Sequence, residues 1–182
     1  MKYEKIFLPI RIGNMELKNR LVVPPMATNY CNPDYSVSER AIAYYGKRAQ
    51  GGFGLITLEG TVVDPLGRAT ARMSCIYDDT FIPGLKRLAD EVHKWGAKLS
   101  VQIHHAGRQT SSATMGGQPV SASKIKCPFI KEVPRELTTE EAYQVIEQFG
   151  DAALRARKAG VDCVEIHGAH GYLISQFMSA YS

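Results

Sequence analysis

Three side chains that exchange protons lie close together near the end of the sequence. His167, His170 and Tyr172 fall within six residues, and Gly168 and Gly171 separate them. Imidazole and phenol groups serve as acids and bases in catalysis, and glycines permit the tight turn that would bring them together. The spacing therefore predicts a functional cluster.

A second polar group lies in the segment 98–108. In an extended strand, Gln102 and His104 face one side while the apolar residues between them face the other. We expect Gln102 to converge with His167, and His104 and His105 to hold the loop that follows. Buried carboxylates usually brace their neighbours, so we interpret Glu59 and Glu165 as structural.

Alternating strands and helices would position these residues. Capping-box spacings at Ser36–Glu39 and Thr138–Glu141 predict two helix starts, and Gly96 and Gly160 are expected helix stops. A long loop is expected from His104 to about Leu137. The sequence predicts a hairpin over 10–17, strands over 20–23, 55–60, 98–103 and 161–166, helices over 36–49, around 85–92 and from 138, and a further helix from about 171.

This alternation is typical of a parallel α/β sheet, either doubly wound or an eight-fold barrel. The first strand is followed by Pro24-Pro25-Met26-Ala27-Thr28, without the glycine fingerprint of a dinucleotide-binding turn, which favours the barrel. A barrel needs about 250 residues. The chain has 182. We therefore expect an α/β (β/α)8 TIM barrel of which only the first four βα units and an N-terminal hairpin are present, with residues 1–182 forming one truncated domain.

The composition excludes several other classes of protein. A net charge of +4 without a basic block gives no support for nucleic-acid binding. The sequence has neither a signal-peptide pattern nor an apolar run long enough to span a membrane. Its four cysteines lack zinc spacing. We expect a cytoplasmic protein with reduced thiols.

Five segments, in order along the chain, carry a resemblance to a known family. The ordered set is far more specific than any one motif, and it resembles the Old Yellow Enzyme family, nearest the bacterial branch of 2,4-dienoyl-CoA and 2-enoate reductases. The segments are Leu8–Gly13, Leu17–Arg20, Pro25-Met26, His105–Arg108 and His167–Phe177.

The resemblance implies an FMN-dependent oxidoreductase that reduces the C=C bond of α,β-unsaturated carbonyl compounds, with NADH or NADPH as the electron donor. His167 and His170 would bind the substrate carbonyl oxygen, and Tyr172 would donate a proton. Gln102 would hydrogen-bond the flavin pyrimidine edge. The backbone that contacts the flavin would be that of Pro24, Pro25, Met26, Ala27 and Gly60. A homo-oligomer is expected, with an iron–sulfur cluster and FAD only in any C-terminal part.

The sequence departs from the family pattern in three places. Ala27 occupies a position where some bacterial relatives have a cysteine that tunes the flavin, and Gln109 replaces a frequent arginine or lysine. The later family segments that supply a flavin arginine and phosphate-binding glycines do not occur. We therefore expect the isolated fragment to bind FMN poorly and to be inactive.

Two alternatives stay open at this point. The histidines at 104, 105, 167 and 170, with Glu59 or Glu165, could bind zinc in a metal-dependent hydrolase on the same barrel. The chain could also be a non-catalytic half-barrel that assembles with itself or with a missing half.

Overall fold

The structure is a computed structural model that describes residues 3–182, in which a short hairpin precedes a parallel sheet flanked by helices. The strands are β1 (Ile10–Ile12), β2 (Met15–Leu17), β3 (Val22–Val23), β4 (Leu55–Val62), β5 (Lys98–His104), β6 (Val120–Ser121), β7 (Arg135–Glu136) and β8 (Cys163–Ile166). The α-helices are α1 (Glu39–Gln50), α2 (Ile82–His93), α3 (Ser112–Met115), α4 (Thr139–Lys158) and α5 (Leu173–Met178). Short 3-10 helices cover Glu4–Phe7, Pro65–Gly67 and Asp79–Phe81.

The central sheet has four parallel strands in the order β3-β4-β5-β8. Each new strand is added beside the previous one, and the order never reverses. A doubly wound sheet reverses its strand order at a switch point, whereas a barrel adds strands in sequence. The topology therefore matches an arc of a barrel, as the sequence predicts.

The two faces of this sheet differ in chemistry. Leu99, Val101 and Ile103 of β5 are completely buried in the core that the sheet forms with α1, α2 and α4. Burying one side chain of this size stabilises the fold by about 1.5–3 kcal/mol. The helices therefore pack against this apolar face of the sheet. The opposite face carries buried polar groups, including Gln102 and His104. The predicted alternation along this strand is confirmed.

Of the two predicted capping boxes, one is confirmed and one is wrong. The Thr138 hydroxyl accepts from the Glu141 N–H at 3.2 Å, and the Glu141 carboxylate accepts from the Thr138 N–H at 2.8 Å. Helix α1 instead begins after Ser38, whose Oγ accepts from the Ala41 N–H at 3.1 Å. The Ser36 hydroxyl instead donates to the Asp34 carboxylate at 2.6 Å and accepts from the Asn32 Nδ2 at 2.9 Å.

Several strand boundaries also differ from the sequence prediction. Strand β3 begins only at Val22, because the Leu21 N–H is bonded to the Asn19 side chain at 3.0 Å. Strand β8 begins only at Cys163, because the Val161 N–H still closes the end of α4 on the Ala156 carbonyl at 3.0 Å. The predicted loop after β5 contains α3, β6 and β7.

Strand β4 is longer than predicted because it continues through a bulge. Its register against β5 shifts between Leu58 and Thr61, so Glu59 and Gly60 form the irregular step. Bulges of this kind often re-aim side chains beside functional sites.

Two further features concern the chain as a whole. All four cysteines are free thiols. Among residues 3–182, no helix combines the length and the apolarity needed to cross a bilayer.

Candidate functional site

The candidate site lies where the loops after β5 and β8 meet. Gln102 and Glu165 are paired in the parallel register, and the His167 N–H extends the ladder to the Ile103 carbonyl at 3.1 Å. Residues two apart on a strand share a face, so Gln102, His104 and His167 all lie on the polar face of the sheet.

Four rings meet at this edge of the sheet. The ring centroid of Tyr172 is 4.4 Å from that of His104 and 4.8 Å from that of His167, both in edge-to-face contact. His167 lies 5.2 Å from His104 and 5.0 Å from His170. The predicted cluster of His167, His170 and Tyr172 therefore exists in the structure, and His104 belongs to it.

A tight turn holds the last two members of the cluster. His170 and Gly171 both have positive φ angles, of 57° and 73°. A non-glycine residue in this region is uncommon and costs of order 1 kcal/mol, so its surroundings must hold it there. The Tyr172 N–H closes the turn on the Ala169 carbonyl at 3.2 Å, and α5 starts at the next residue.

Hydrogen bonds assign the tautomers of the two loop histidines. The His167 Nδ1 accepts from the Ala169 N–H at 3.4 Å, so the neutral ring carries its proton on Nε2. That Nε2 lies 3.3 Å from the His170 Nδ1, which then accepts. Burial, followed by the nearby His170, lowers the pKa of His167 below its usual value. The Nε2–H of His167 is therefore engaged by His170, and the Nε2 of the exposed His170 is the ring nitrogen of the pair that can face a ligand.

His104 lies at the centre of the cluster and was not among the predicted catalytic residues. Its side chain is buried, and neither ring nitrogen has a hydrogen-bond partner among the described residues. Burial, followed by the neighbouring His167 and His105, lowers its pKa to about 3. A buried polar group without a partner is rare in folded proteins. The face shared with Gln102 was the sequence signal that could have placed His104 in the site.

Two carboxylates are bonded to residues of the site: Glu59 is buried, as expected, whereas Glu165 is exposed, contrary to the expectation of a buried carboxylate. The Gln102 Nε2 donates to the Glu165 Oε1 at 2.6 Å. The Glu59 carboxylate accepts from the Thr28 N–H and, at 3.3 Å, from the Ser74 hydroxyl. Glu59 thereby anchors the segment that follows β3 to the bulge of β4.

The residues expected at the flavin lie on this same side of the sheet. Pro24, Met26 and Ala27 are exposed, and Pro25 is half-buried, so this segment is accessible to a ligand. Gly60 sits in the bulge of β4, where a Cβ atom would lie 3.1 Å from the Met73 methyl group and 3.4 Å from His104.

His105 does not join the cluster. Its Nδ1 accepts from the Gly107 N–H at 3.0 Å, and its Nε2 faces the Asp64 carboxylate at 4.0 Å. Burial lowers its pKa to about 4. No group of three or more His, Cys, Asp or Glu side chains in residues 3–182 is arranged to bind a metal ion. The described residues therefore give no support to the four-histidine zinc site of the hydrolase alternative.

Comparison with known proteins places the sequence in a family. The NADH:flavin oxidoreductase / NADH oxidase family matches residues 5–182. An NADH oxidase of Thermoanaerobacter brockii is 51% identical over 179 residues, which are 97% of this chain and 28% of that protein. An NADPH dehydrogenase of Clostridium acetobutylicum is 40% identical over 178 residues, 98% of this chain and 52% of that protein.

Solved structures agree with the sequence match. Morphinone reductase superposes with a TM-score of 0.90 at 30% identity over 96% of this chain and 50% of its own. A 2-naphthoyl-CoA reductase complex gives 0.94 at 32% identity, over 98% of this chain and 29% of its own. The chain thus spans about half, or less, of the length of these proteins, and its sheet is part of a TIM barrel. It belongs to the NADH:flavin oxidoreductase / NADH oxidase family, the family of the Old Yellow Enzymes.

Proposed function

We propose that the protein containing this chain is an FMN-dependent oxidoreductase that reduces the C=C bond of α,β-unsaturated carbonyl compounds with NADH or NADPH. The observation that carries the proposal is the contact of Tyr172 with His104 and His167, which puts a phenol beside imidazole donors at a strand end. In parallel barrels, this end of the strands is where catalysis takes place.

The two loop histidines suit an oxygen that becomes negatively charged. When a hydride adds to the β-carbon of an enone, negative charge builds on the carbonyl oxygen. His167 and His170 lie 3.3 Å apart, so a carbonyl oxygen bound between them would replace their mutual hydrogen bond and accept from both rings. Donors held in advance at such an oxygen stabilise the transition state, and losing one costs roughly 3 kcal/mol.

Tyr172 suits the second half of the reaction. After hydride addition, the α-carbon must accept a proton, which a phenol can donate. Edge contacts with His104 and His167 on two sides restrict the Tyr172 ring. The tyrosine would therefore hold a proton beside the substrate atom that needs it.

The residues around the cluster fit one face of a flavin, which when bound supplies the hydride. The segment Pro24–Ala27 is largely exposed, and the Gln102 amide lies buried on the polar face of the sheet. Gln102 would hydrogen-bond the pyrimidine edge, and its bond to Glu165 fixes the amide in one orientation. The unpartnered nitrogens of His104 are consistent with a ligand beside this surface.

The names of the relatives support the choice of electron donor. Relatives are named NADH oxidase and NADPH dehydrogenase, and one morphinone reductase structure contains tetrahydroNAD. We therefore propose a nicotinamide reductant. The small-molecule substrate, the cytoplasmic location and the homo-oligomeric state are further proposals, which rest on the sequence resemblance. Residues 1–182 would form the N-terminal half of the FMN-binding barrel.

The visible spectrum of the full-length protein tests this proposal. We expect a yellow protein whose flavin absorbance bleaches with NADH or NADPH in the absence of oxygen and recovers when an enone is added. Recovery must be accompanied by stoichiometric saturated ketone. A colourless protein, or a reduced flavin that enones do not reoxidise, would contradict the proposal and favour a non-catalytic half-barrel or another substrate class.

A further inference from the structure

Gln176 is a buried amide in α5 whose hydrogen-bonding groups are all engaged. Its Oε1 accepts from the Ser121 hydroxyl at 3.0 Å and from the Arg108 N–H at 3.3 Å. Its Nε2 donates to the Gly171 carbonyl at 2.6 Å and to the Ala106 carbonyl at 3.4 Å. An amide side chain offers two acceptor sites and two donors, so Gln176 is saturated.

These four bonds join the two loops that carry the ring cluster. Ala106 and Arg108 belong to the loop after β5, and Gly171 belongs to the loop after β8. A backbone hydrogen bond from the Leu173 N–H to the His105 carbonyl, at 3.1 Å, also joins the two loops. The amide therefore couples the position of His104 to that of Tyr172.

The lack of a side chain at Gly107 leaves the space that the Gln176 amide occupies. A Cβ atom on Gly107 would lie only 2.2 Å from the Gln176 Oε1, and the φ angle of Gly107 is +60°. A larger residue at this position would have to displace the amide. The contact between the loops thus depends on both residues.

We propose that Gln176 is a positioning residue for the reaction, acting through the turn that carries His170 and Tyr172. This inference rests on the proposed function. The 2.6 Å bond to the Gly171 carbonyl holds the residue between these two side chains, at the turn with positive φ angles. A displacement of about 1 Å at a reacting group can cost roughly 100-fold in rate.

The test uses the full-length holoprotein with Gln176→Met, which keeps the shape of the side chain and removes its hydrogen bonds. Reduced flavin is reoxidised either by an enone, which requires proton donation to carbon, or by ferricyanide, which takes electrons alone. We expect the enone rate to fall by about 10- to 100-fold while the ferricyanide rate stays unchanged. Gln148→Met, the same substitution in α4 with its amide bonded to Asp64, is the matched control and should change neither rate.

A double-mutant cycle with Tyr172→Phe gives a readout that a merely structural role would not affect. If Gln176 acts through Tyr172, Gln176→Met should have little further effect on the enone rate once the phenol hydroxyl is gone. Effects that multiply, or a Gln176→Met variant that loses both rates together with its FMN, would overturn the inference.

Two outcomes separate this inference from the proposed function. A wild-type protein that never reduces enones overturns the proposed function and the role of Gln176 with it. An active wild type with a fully active Gln176→Met variant overturns only the inference.

If Gln176→Met fails to fold, Ser121→Ala is tested in its place, because it removes a single hydrogen bond of 3.0 Å to the Gln176 amide. We expect a smaller loss of the enone rate with the ferricyanide rate unchanged, and equal losses of both would contradict the inference.

Discussion

Tyr172 is the residue whose proposed role is tested most directly. Tyr172→Phe keeps the ring that contacts His104 and His167 and removes only the hydroxyl. We expect alkene reduction to fall by roughly 100- to 10,000-fold, because a positioned general acid contributes about that much. Flavin reduction by NAD(P)H should be unchanged, since it needs no proton donation to carbon. Stopped-flow measurement of the two half-reactions checks this, and equal losses in both would argue against proton donation by Tyr172.

The buried His104 predicts a pH dependence of stability. Its pKa is about 3 in the folded chain against 6.5 for a free histidine, so the unfolded state binds more protons between these values. Its contribution is therefore fully present above about pH 6.5 and is lost as the pH falls towards the folded pKa. Between about pH 7.5 and about pH 5, the free energy of unfolding measured with urea should fall less in His104→Leu than in the wild type. His170→Leu, at an exposed position, is the control, and an unchanged pH slope in His104→Leu would refute the prediction.

At the residue scale, the sequence predicts the site best where several proton-exchanging side chains lie within a short segment. The spacing of His167, His170 and Tyr172 was sufficient to predict that their rings meet, because one turn brings them together. Gln176 could not be assigned in this way. Three of its four side-chain hydrogen bonds reach residues 55 to 70 positions away in the chain, which no local pattern contains.

At the scale of the elements, the cap of α4 gives a prediction about stability. Thr138 completes a reciprocal capping box at the start of a 20-residue helix. We expect Thr138→Ala to lower the free energy of unfolding by about 1 kcal/mol, since it leaves a helix N–H without its partner. Thr139→Ala, at the exposed neighbouring position inside the helix, should have little effect. Chemical denaturation of both variants checks this, and equal losses would show that the cap contributes nothing.

The end of the sheet opposite the site is held by Asp162. Its carboxylate accepts from the Leu99 N–H at 2.9 Å, from His93 at 2.6 Å and from Lys98 at 2.9 Å. Burial alone would raise the pKa of Asp162, but the hydrogen bonds outweigh it and lower the pKa below 3.8. A lowered carboxylate pKa means that the stabilisation is present above the unfolded value and is lost as the pH falls through the folded one.

Asp162→Asn should therefore destabilise the fold at neutral pH by about 1–3 kcal/mol, because charged hydrogen bonds are replaced by weaker ones. The difference from wild type should shrink as the pH falls below about 3.8 and Asp162 becomes protonated in both states. Asp151→Asn, on the exposed side of α4, is the control. A difference that stays constant down to acid pH would contradict this account of Asp162.

The elements themselves were predictable where a local signal was unambiguous. The hairpin, the four parallel strands and the capping box at Thr138 all depend on short-range patterns, and the structure confirms them. The start of α1 was misplaced because Ser36 and Ser38 both suit a cap, and only the turn bonds of Ser36 to Asp34 decide between them. The bulge at Glu59 was not predictable, because it is defined by the register against β5.

At the scale of the whole molecule, an apolar groove is open at the β8 edge of the sheet. A groove of about 420 Å³ lies beside β8, the last strand of the parallel sheet. Uncovered apolar surface and an unpaired strand edge are unfavourable in water and usually bind another element. The groove is lined by Ala142, Val145, Ile146, Phe149, Ile166, Leu173, Ile174, Phe177 and Met178.

We propose that the βα units completing the barrel cover this groove, because the relatives' barrels are about twice as long as this chain. Phe177 is 52% exposed in the chain, so Phe177→Asp should barely change the stability of the isolated 182 residues. In the full-length protein the same substitution would bury a charge without a partner and should cost about 3 kcal/mol or more. Phe129→Asp, outside the groove and 87% exposed, is the control that should be tolerated in both. Thermal and urea unfolding of both variants and the wild type, each at both lengths, test this proposal. Equal effects of Phe177→Asp at both lengths would mean that another surface receives the rest of the barrel.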